Sequence, residues 1–302
     1  MNYENGTFDD LFAKSAEETI SQRSEGFDKE AYAEYKQAQR ANAYALLDEA
    51  TTKLEGDPSE LKTFLDVQAR FDRYSSANAI LIANQKPDAT RLADFDTWKS
   101  SGASIHKGEN AIIILEPGKE YQREDGSTGV SMNVKKVFDI AQTSAEKPQE
   151  YPKPDQRTAI KALIASATCG IVMDNDRTAN KAAIYSPEDK TIFIRQGMDG
   201  DSIFKALSQE IAAVSLAEKC VDRSNAAFLT YCSAYILCER NGIDTSSFNF
   251  DRAPAVLKDL EPKAVREQLS TLRDVANTIS RDMSHAIEGF EKATKVRDDG
   301  AR

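Results

Sequence analysis

The sequence predicts an α+β fold, in which an N-terminal helical arm and a small α+β domain precede a mainly helical domain that contains a β-hairpin. Long segments repeat apolar residues every three or four positions, which is the period of an amphipathic helix. Short β-branched runs at 112–114 and 191–194 lie between turn-forming residues and predict strands. A segment with Pro148, Pro152 and Pro154 divides the two halves and predicts a linker.

In the N-terminal half, most of the predicted elements are helices. Residues 1–27 are polar and acidic and are expected to form a mobile arm, and the Ala- and Glu-rich segment after them predicts a helix over 27–54. A second helix is predicted over 60–84, with Asn78 inside its apolar stripe. A buried amide needs hydrogen-bond partners, so we expect Asn78 to bind neighbouring backbone.

The segment before the linker predicts one short helix and a small sheet. The helix covers 95–101 and contains Trp98, the only tryptophan. Residues 104–107 and 111–115 predict a hairpin around a Gly-Glu turn, and residues 134–140 predict the strand that returns beside it.

The C-terminal half predicts helices around a hairpin. Its elements are, in order, a helix over 157–167, a strand over 170–173, a hairpin over 183–195, a helix from Ile203, a helix over 226–241 and a helix over 257–293.

The helix that begins at Ile203 carries a carboxylate on its apolar face, because Glu210 follows Ile203 and Leu207 on one stripe. A carboxylate there has to be paired, hydrated or functional, since burial alone costs several kcal/mol. In the zinc signature H-E-x-x-H, two histidines one turn apart bind the metal and the Glu polarises the bound water. Here Gln209 and Ala213 occupy the histidine positions. An ordinary helix with one hydrogen-bonded Glu is the alternative.

Other possible ligand sets are disfavoured. The spacings of Asp199, Asp201 and Glu218 do not place three ligands around one point with Glu210. The cysteines lack C-x-x-C spacing and are expected to be reduced structural thiols: Cys169, Cys220, Cys232 and Cys238. The chain has two histidines, His106 and His285, and neither lies in a motif that would supply a base to a cysteine nucleophile. We therefore predict no cofactor.

Composition describes a soluble globular chain. Hydrophobic residues make up 40% and charged residues 29% of its 302 residues, and no apolar run reaches the about 18 residues of a membrane-spanning helix. The N-terminus lacks the regions of a signal peptide, so we expect a cytoplasmic protein without membrane contact. The net charge of −10 opposes nonspecific nucleic-acid binding, so any DNA contact has to use a local patch of cations.

Two ordered sets of short strings resemble ArdC-type antirestriction proteins. In the first half they are Phe71–Gln85, Trp98, Lys107-Gly108-Glu109, Val137-Phe138-Asp139 and Gln142-Thr143. In the second half they are the hairpin, Arg195–Asp199, the Glu210 helix, Ala234–Cys238 and Gly242–Ser246. The resemblance implies a single-strand DNA-binding domain joined to a zinc metallopeptidase-like domain. The first set is most similar to the variant in conjugation-associated proteins of mobile elements.

The resemblance also implies a third metal ligand, a Glu on the next helix just before the Ala-Tyr pair. The matching turn reads Leu229-Thr230-Tyr231-Cys232 and has no carboxylate. All three expected ligands are therefore absent, which predicts a pseudo-metallopeptidase that binds no metal and in which Glu210 is vestigial. The implied segments are an arm and helix over 1–58, the DNA-binding domain over 59–143, a linker over 144–156 and the degenerate peptidase-like domain with its C-terminal helix over 157–302.

Single-strand binding requires cations near phosphates and rings that stack on bases. The predicted contacts are Arg70, Arg73, Tyr74, Lys86, Arg91, Trp98, Lys99, Lys107, Lys135 and Lys136. Tyr74 and Trp98 are the candidate stacking platforms, although a lone Trp on a short helix is more often a core residue. Lys107, Lys135 and Lys136 are the first candidates for phosphate contacts, and a solvated surface of mixed charge is the alternative.

The expected function is that of a non-catalytic accessory protein of a mobile element, which binds single-stranded DNA during conjugative transfer or protects incoming DNA. A protein-interaction module that holds a partner in an inactive peptidase-like groove is the alternative, and a residual metallopeptidase ranks third. The sequence does not determine the oligomeric state.

Overall fold

In a computed structural model, the described residues (28–123, 125–147, 152–218 and 223–300) form helices and two three-stranded sheets, which confirms the predicted α+β class. The α-helices are α1 Lys29–Gly56, α2 Pro58–Arg70, α3 Ser76–Gln85, α4 Phe95–Ser100, α5 Gln156–Ala165, α6 Gly200–Glu218, α7 Arg223–Asn241, α8 Pro254–Leu257 and α9 Pro262–Gly300. The strands are β1 Leu92–Ala93, β2 Ile112–Gln122, β3 Thr128–Asp139, β4 Gly170–Met173, β5 Ala183–Ser186 and β6 Thr191–Ile194. The predicted arm over 1–27 lies outside these ranges. None of the helices described is long and apolar enough to cross a membrane.

Contacts between Cα atoms divide the chain into two compact units, Met1–Leu46 with Arg91–Lys147, and Leu47–Thr90 with Pro148–Arg302. The second unit includes α2 and α3 because their apolar faces pack against α7 and α9. Phe64 and Leu65 of α2 are fully buried there. The four segments predicted along the chain remain a prediction. The compact units differ from them, because residues 47–90 belong to the unit that contains the C-terminal half.

The sheet of the first unit has the strand order β1-β3-β2. β2 and β3 form a long antiparallel hairpin that runs from the pair Ile112↔Val137 to Gln122↔Thr128, and its register shifts between Pro117 and Glu120. The predicted hairpin between 104–107 and 111–115 is wrong. Residues 104–107 are mostly exposed and form a single bridge, so the buried residues of β2 pair with the apolar strand β3 instead.

The predicted single helix over 60–84 is also wrong, because residues 71–75 separate α2 from α3. Ser75 is extended and its side-chain oxygen accepts a hydrogen bond from the backbone N–H of Asn78, so it begins a new helix as an N-cap. Asn78 is buried, as its position in the apolar stripe predicts.

The second sheet confirms the predicted hairpin. Its strand order is β4-β6-β5, with β4 parallel and β5 antiparallel to β6. Helix α6 begins at Gly200, three residues before the predicted start, because the Asp199 carboxylate accepts bonds from the backbone N–H and the hydroxyl of Ser202. The last helix begins at Pro262 because Asp259, at φ 63°, interrupts the segment after α8.

Candidate nucleic-acid interface and the Glu210 position

Glu210 lies on α6, facing the hairpin of the second unit. Its Oε2 accepts a hydrogen bond of 2.8 Å from the backbone N–H of Tyr185 on β5. Burial raises the pKa of the Glu210 carboxyl, while the bond from Tyr185 and the charge of Lys181 act in the opposite direction. The carboxylate therefore joins the helix to the strand.

The positions around Glu210 offer few metal ligands. Gln209 and Ala213 are half-buried, and an alanine methyl cannot coordinate a cation. In the corresponding turn of α7, Cys232 is fully buried, which raises the pKa of its thiol far above the ordinary value. Over the described ranges, no three His, Cys, Asp or Glu side chains form a group that could hold a metal ion.

The alternative carboxylate set is engaged at three separate places. Asp199 caps α6, Asp201 accepts a bond of 2.6 Å from the Gln156 amide, and Glu218 accepts one of 3.0 Å from the Thr168 hydroxyl. These contacts explain the three side chains without a shared cation.

In the first unit, the motif residues Asp139 and Gln142 hold backbone groups at the end of β3. The Asp139 carboxylate is 1% exposed and accepts bonds of 2.9 Å from the N–H groups of Arg91 and Ala141. Gln142 accepts from the N–H of Asp139 and donates to the Asn110 carbonyl, at 2.8 Å in both cases. The two side chains thus fix the turn before β2 and the chain leading into β1 to one corner of the sheet.

Trp98 is a core residue. Its side chain is 3% exposed, and its indole N–H donates a 2.9 Å bond to the carbonyl of Phe138. The ring is covered further by Arg91, whose guanidinium carbon lies 5.7 Å from the ring centroid. The prediction that Trp98 stacks on a base is corrected, because a base cannot reach a ring in this position.

Lys135 is held by two carboxylates. Its Nζ lies 3.0 Å from Asp94 and 3.3 Å from Glu116, and the Asp94 hydrogen bond is the main reason that the pKa of Lys135 is raised. Asp94 also caps α4 through Thr97, and the contacts with Thr97 and Lys135 lower the pKa of Asp94 to about 2. Lys136, the next residue on the strand, is exposed on the other face. The structure thus shows two carboxylate partners for Lys135 and an exposed side chain for Lys136.

The ten predicted contacts are distributed over both units. Those in the first unit are Arg91, Trp98, Lys99, Lys107, Lys135 and Lys136, and those in the second are Arg70, Arg73, Tyr74 and Lys86. Lys99, Lys107 and Arg73 are exposed. Arg70 donates to the carbonyls of Pro87 and Ala89, and Lys86 lies 3.1 Å from the Asp88 carboxylate.

Tyr74 lies half-buried in the loop 71–75, edge-on to Phe71 with the ring centroids 5.5 Å apart. Arginines from the C-terminal helices hold this part of the chain. Arg273 donates 2.8 Å to the carbonyl of Tyr74, and Arg240 donates to Ala69 at 3.1 Å and to Gln68 at 3.2 Å.

Arg240 and Tyr235, both on α7, thus have structural partners that sequence reasoning missed. Burial lowers the pKa of Arg240 to about 10. Tyr235 of the Ala-Tyr pair donates its hydroxyl to Asp66 of α2. The partners in both cases lie more than 160 residues away along the chain, so no local pattern could have indicated them.

Comparison with known proteins identifies a family similar to part of the first half of the chain. Residues 45–159 match the family model of the N-terminal domain of anti-restriction factor ArdC. This segment is similar to the ArdC N-terminal domain family. A protein of Bacillus anthracis, uncharacterized protein pXO2-81, is 29% identical over 130 residues, which cover 34% of this chain and 22% of that relative. The chain thus spans about a fifth of the length of the curated relative it matches.

The fold likeness extends over more of the chain. The Mn(II)-bound crystal structure of the antirestriction ArdC protein from the R388 plasmid aligns with a TM-score of 0.57 and 13% sequence identity. The alignment covers 78% of this chain and 97% of the ArdC chain, so the two share a fold beyond the matched N-terminal domain. The resemblance inferred from short sequence strings is confirmed for the ArdC N-terminal domain.

Proposed function

We propose that the protein is a non-catalytic accessory factor of a mobile genetic element, which binds single-stranded DNA during conjugative transfer or protects incoming DNA. The match of residues 45–159 to the ArdC N-terminal domain carries this proposal. The ArdC protein whose fold it shares is named for antirestriction and comes from a plasmid.

The exposed lysines of the first unit supply the phosphate contacts in this proposal. Lys99 on α4, Lys107 in the turn before β2 and Lys136 on β3 all lie in the matched domain and are exposed. Single-strand binding that uses a few such contacts is weak and falls steeply with salt. The chain's net charge of −10 makes this dependence important, so binding is expected at low ionic strength.

The non-catalytic part of the proposal concerns the Glu210 position. The Mn(II)-bound state is described for the R388 ArdC protein, but the residues here do not fit such an ion, since Ala213 has no donor atom and Gln209 is a poor ligand. Glu210 is already engaged with the backbone of Tyr185. We therefore assign this region a structural role.

Fluorescence anisotropy with a labelled single-stranded oligonucleotide tests the DNA-binding role. We expect saturable binding at low salt that weakens with increasing salt, and weaker binding to a duplex of the same sequence. No binding to single strands at low salt, where phosphate contacts are strongest, overturns the proposal.

A protein-interaction module is the second candidate, and the exposed edge of the second sheet favours it. In the described ranges β4 pairs with β6 and with no other strand, and its side chains Val172 and Met173 are 50% and 67% exposed. An exposed apolar edge strand can accept an extended peptide as a further strand. Recovery of one stable protein partner that nuclease treatment does not release, together with absent DNA binding, favours this candidate.

A further inference from the structure

A cleft in the first unit lies between α1 and the hairpin of β2 and β3. It has a volume of about 450 Å³. Its lining residues are Tyr32, Ala33, Lys36 and Arg40 from α1, and Glu116, Asn133 and Val134 from the strands. The residues from α1 precede the segment that matches the ArdC N-terminal domain, which begins at residue 45.

The cleft contains two cations that have no carboxylate partner among the described residues. Within the part of the chain that the structure describes, neither Lys36 nor Arg40 forms an ion pair, and both side chains are half-buried. The one carboxylate in the lining, Glu116, is paired with Lys135 at 3.3 Å. Asp28, one turn before Tyr32, caps α1 through the N–H groups of the first turn. The lining residues therefore carry two positive charges and one negative charge, although the chain as a whole is acidic.

Aromatic rings flank the two cations. Tyr32, Lys36, Arg40 and Tyr44 follow one another at four-residue spacing, which places each beside the next along a face that turns gradually around the helix. Tyr32 is 48% and Tyr44 40% exposed. Lys36 Nζ lies 5.7 Å from the centroid of the Tyr32 ring, and Arg40 Nε donates 3.3 Å to the carbonyl of Lys36. The face extends over about 18 Å along the helix axis.

We infer that this cleft is a second contact for single-stranded DNA, in which Lys36 and Arg40 bind backbone phosphate and Tyr32 stacks on an adjacent base. Unpaired cations interleaved with exposed rings are the chemistry that binds single strands without sequence preference. Asn133 offers its side-chain amide to a base edge at the other wall of the cleft. This contact rests on the proposed function and extends the DNA-binding surface beyond the matched family domain.

Anisotropy titrations of the full chain with a fluorescein-labelled oligomer of deoxythymidine test the site. The variant K36A/R40A is compared with the control K263A/K292A, which removes two exposed lysines from α9. The two double variants therefore have the same net charge. We expect about tenfold weaker binding for K36A/R40A at low salt and little change for the control. The slope of log K against log salt is expected to fall by about 1.4, because each lost phosphate contact on a single strand contributes about 0.7.

The tyrosine is tested by Y32A and Y32F. Loss of the ring is expected to weaken binding about tenfold, whereas the phenylalanine ring of Y32F retains stacking. Circular dichroism and thermal melting check that each variant is folded, which is expected because the substituted side chains are exposed or half-buried.

The outcomes distinguish the two levels of the proposal. Absent binding by the wild type overturns the DNA-binding function and this site together. Wild-type binding that K36A/R40A and Y32A leave at the level of the control, while K136A weakens it, overturns the cleft and retains the function.

Discussion

The corner of the first sheet and the Glu210 position of the second unit both place a motif carboxylate against backbone N–H groups, but they do so differently. Asp139 is 1% exposed and accepts from two N–H groups, those of Arg91 and Ala141. Glu210 is half-buried, accepts from one N–H group in the described residues, and has a raised pKa. Several donors hold a carboxylate at a fixed place in the fold, whereas desolvation with a single donor makes ionisation of a carboxylate more costly. The first carboxylate is thus built into the fold, and the second remains costly to ionise.

The largest effect is expected at the corner of the first sheet. D139A leaves two N–H groups without their acceptor and should lower the free energy of unfolding by about 3 kcal/mol. Urea unfolding measures the loss, and hydrogen exchange at the amides of Arg91 and Ala141 locates it. D139N, which keeps one acceptor oxygen, is the control and should lose less. Equal stability of D139A and the wild type would contradict a structural role for the motif.

The adjacent lysines on β3 separate structure from DNA contact. K135A removes the partner of Asp94 and Glu116 and should cost about 0.5 kcal/mol of stability, since all three groups are partly solvated. Its DNA affinity should change little. K136A should weaken single-strand binding a few-fold, because the Lys136 side chain is exposed. A loss of DNA affinity in K135A with no loss in K136A would contradict this distinction between the two lysines.

The pKa of Asp94 makes part of this stability pH-dependent. Its folded pKa of about 2 lies below the ordinary value of 3.8, so its contribution is present above pH 3.8 and is lost as the pH falls toward 2. The wild type should therefore lose stability as the pH falls from 5 to about 2, and K135A should lose less over the same range. Melting temperatures measured across this range test the difference.

Glu210 predicts a pH dependence of the opposite sign. Because its folded pKa is raised above 4.5, its contribution is fully present below that pH and is lost as the pH rises through the folded pKa. E210Q stays neutral and keeps an acceptor for the Tyr185 N–H, so it should be more stable than the wild type at pH 7, by of the order of 1 kcal/mol.

The pH series and a second variant check this expectation. The advantage of E210Q should disappear by about pH 4, and E210A, which lacks the acceptor, should be less stable than E210Q at every pH. An E210Q variant that is less stable than the wild type at pH 7 would indicate that the ionised carboxylate has a favourable partner or role.

The smallest expected effect is that of metal on the Glu210 region. Addition of Zn²⁺ or Mn²⁺ after chelation should leave the melting temperature unchanged, because a ligand stabilises a fold only if it binds the native state. Elemental analysis of the purified protein should give substoichiometric metal. Stoichiometric zinc or manganese that is lost in E210A would falsify the pseudoenzyme proposal.

Local patterns in the sequence predicted the elements whose partners are near in the chain. The hairpin of β5 and β6 and the helix after it follow from turn residues and apolar periodicity within about 20 residues. The predicted hairpin at 104–115 failed because β2 pairs with a strand that begins at Thr128. Burial of Trp98 was weighed as the commoner alternative, but only its bond to Phe138 decided it.

The candidate sites show the same division. The sequence alone shows that positions 209 and 213 are not histidines, and it contains the ordered strings of the ArdC N-terminal domain. Residue chemistry and motif order are properties of the chain itself. The tertiary structure decided which cations are paired with carboxylates, as Lys135 is with Asp94. It also decided that α2 and α3 pack on the C-terminal helices. Those outcomes depend on the surfaces that meet when distant segments are buried together, and the pairing of such surfaces is not encoded in any local period.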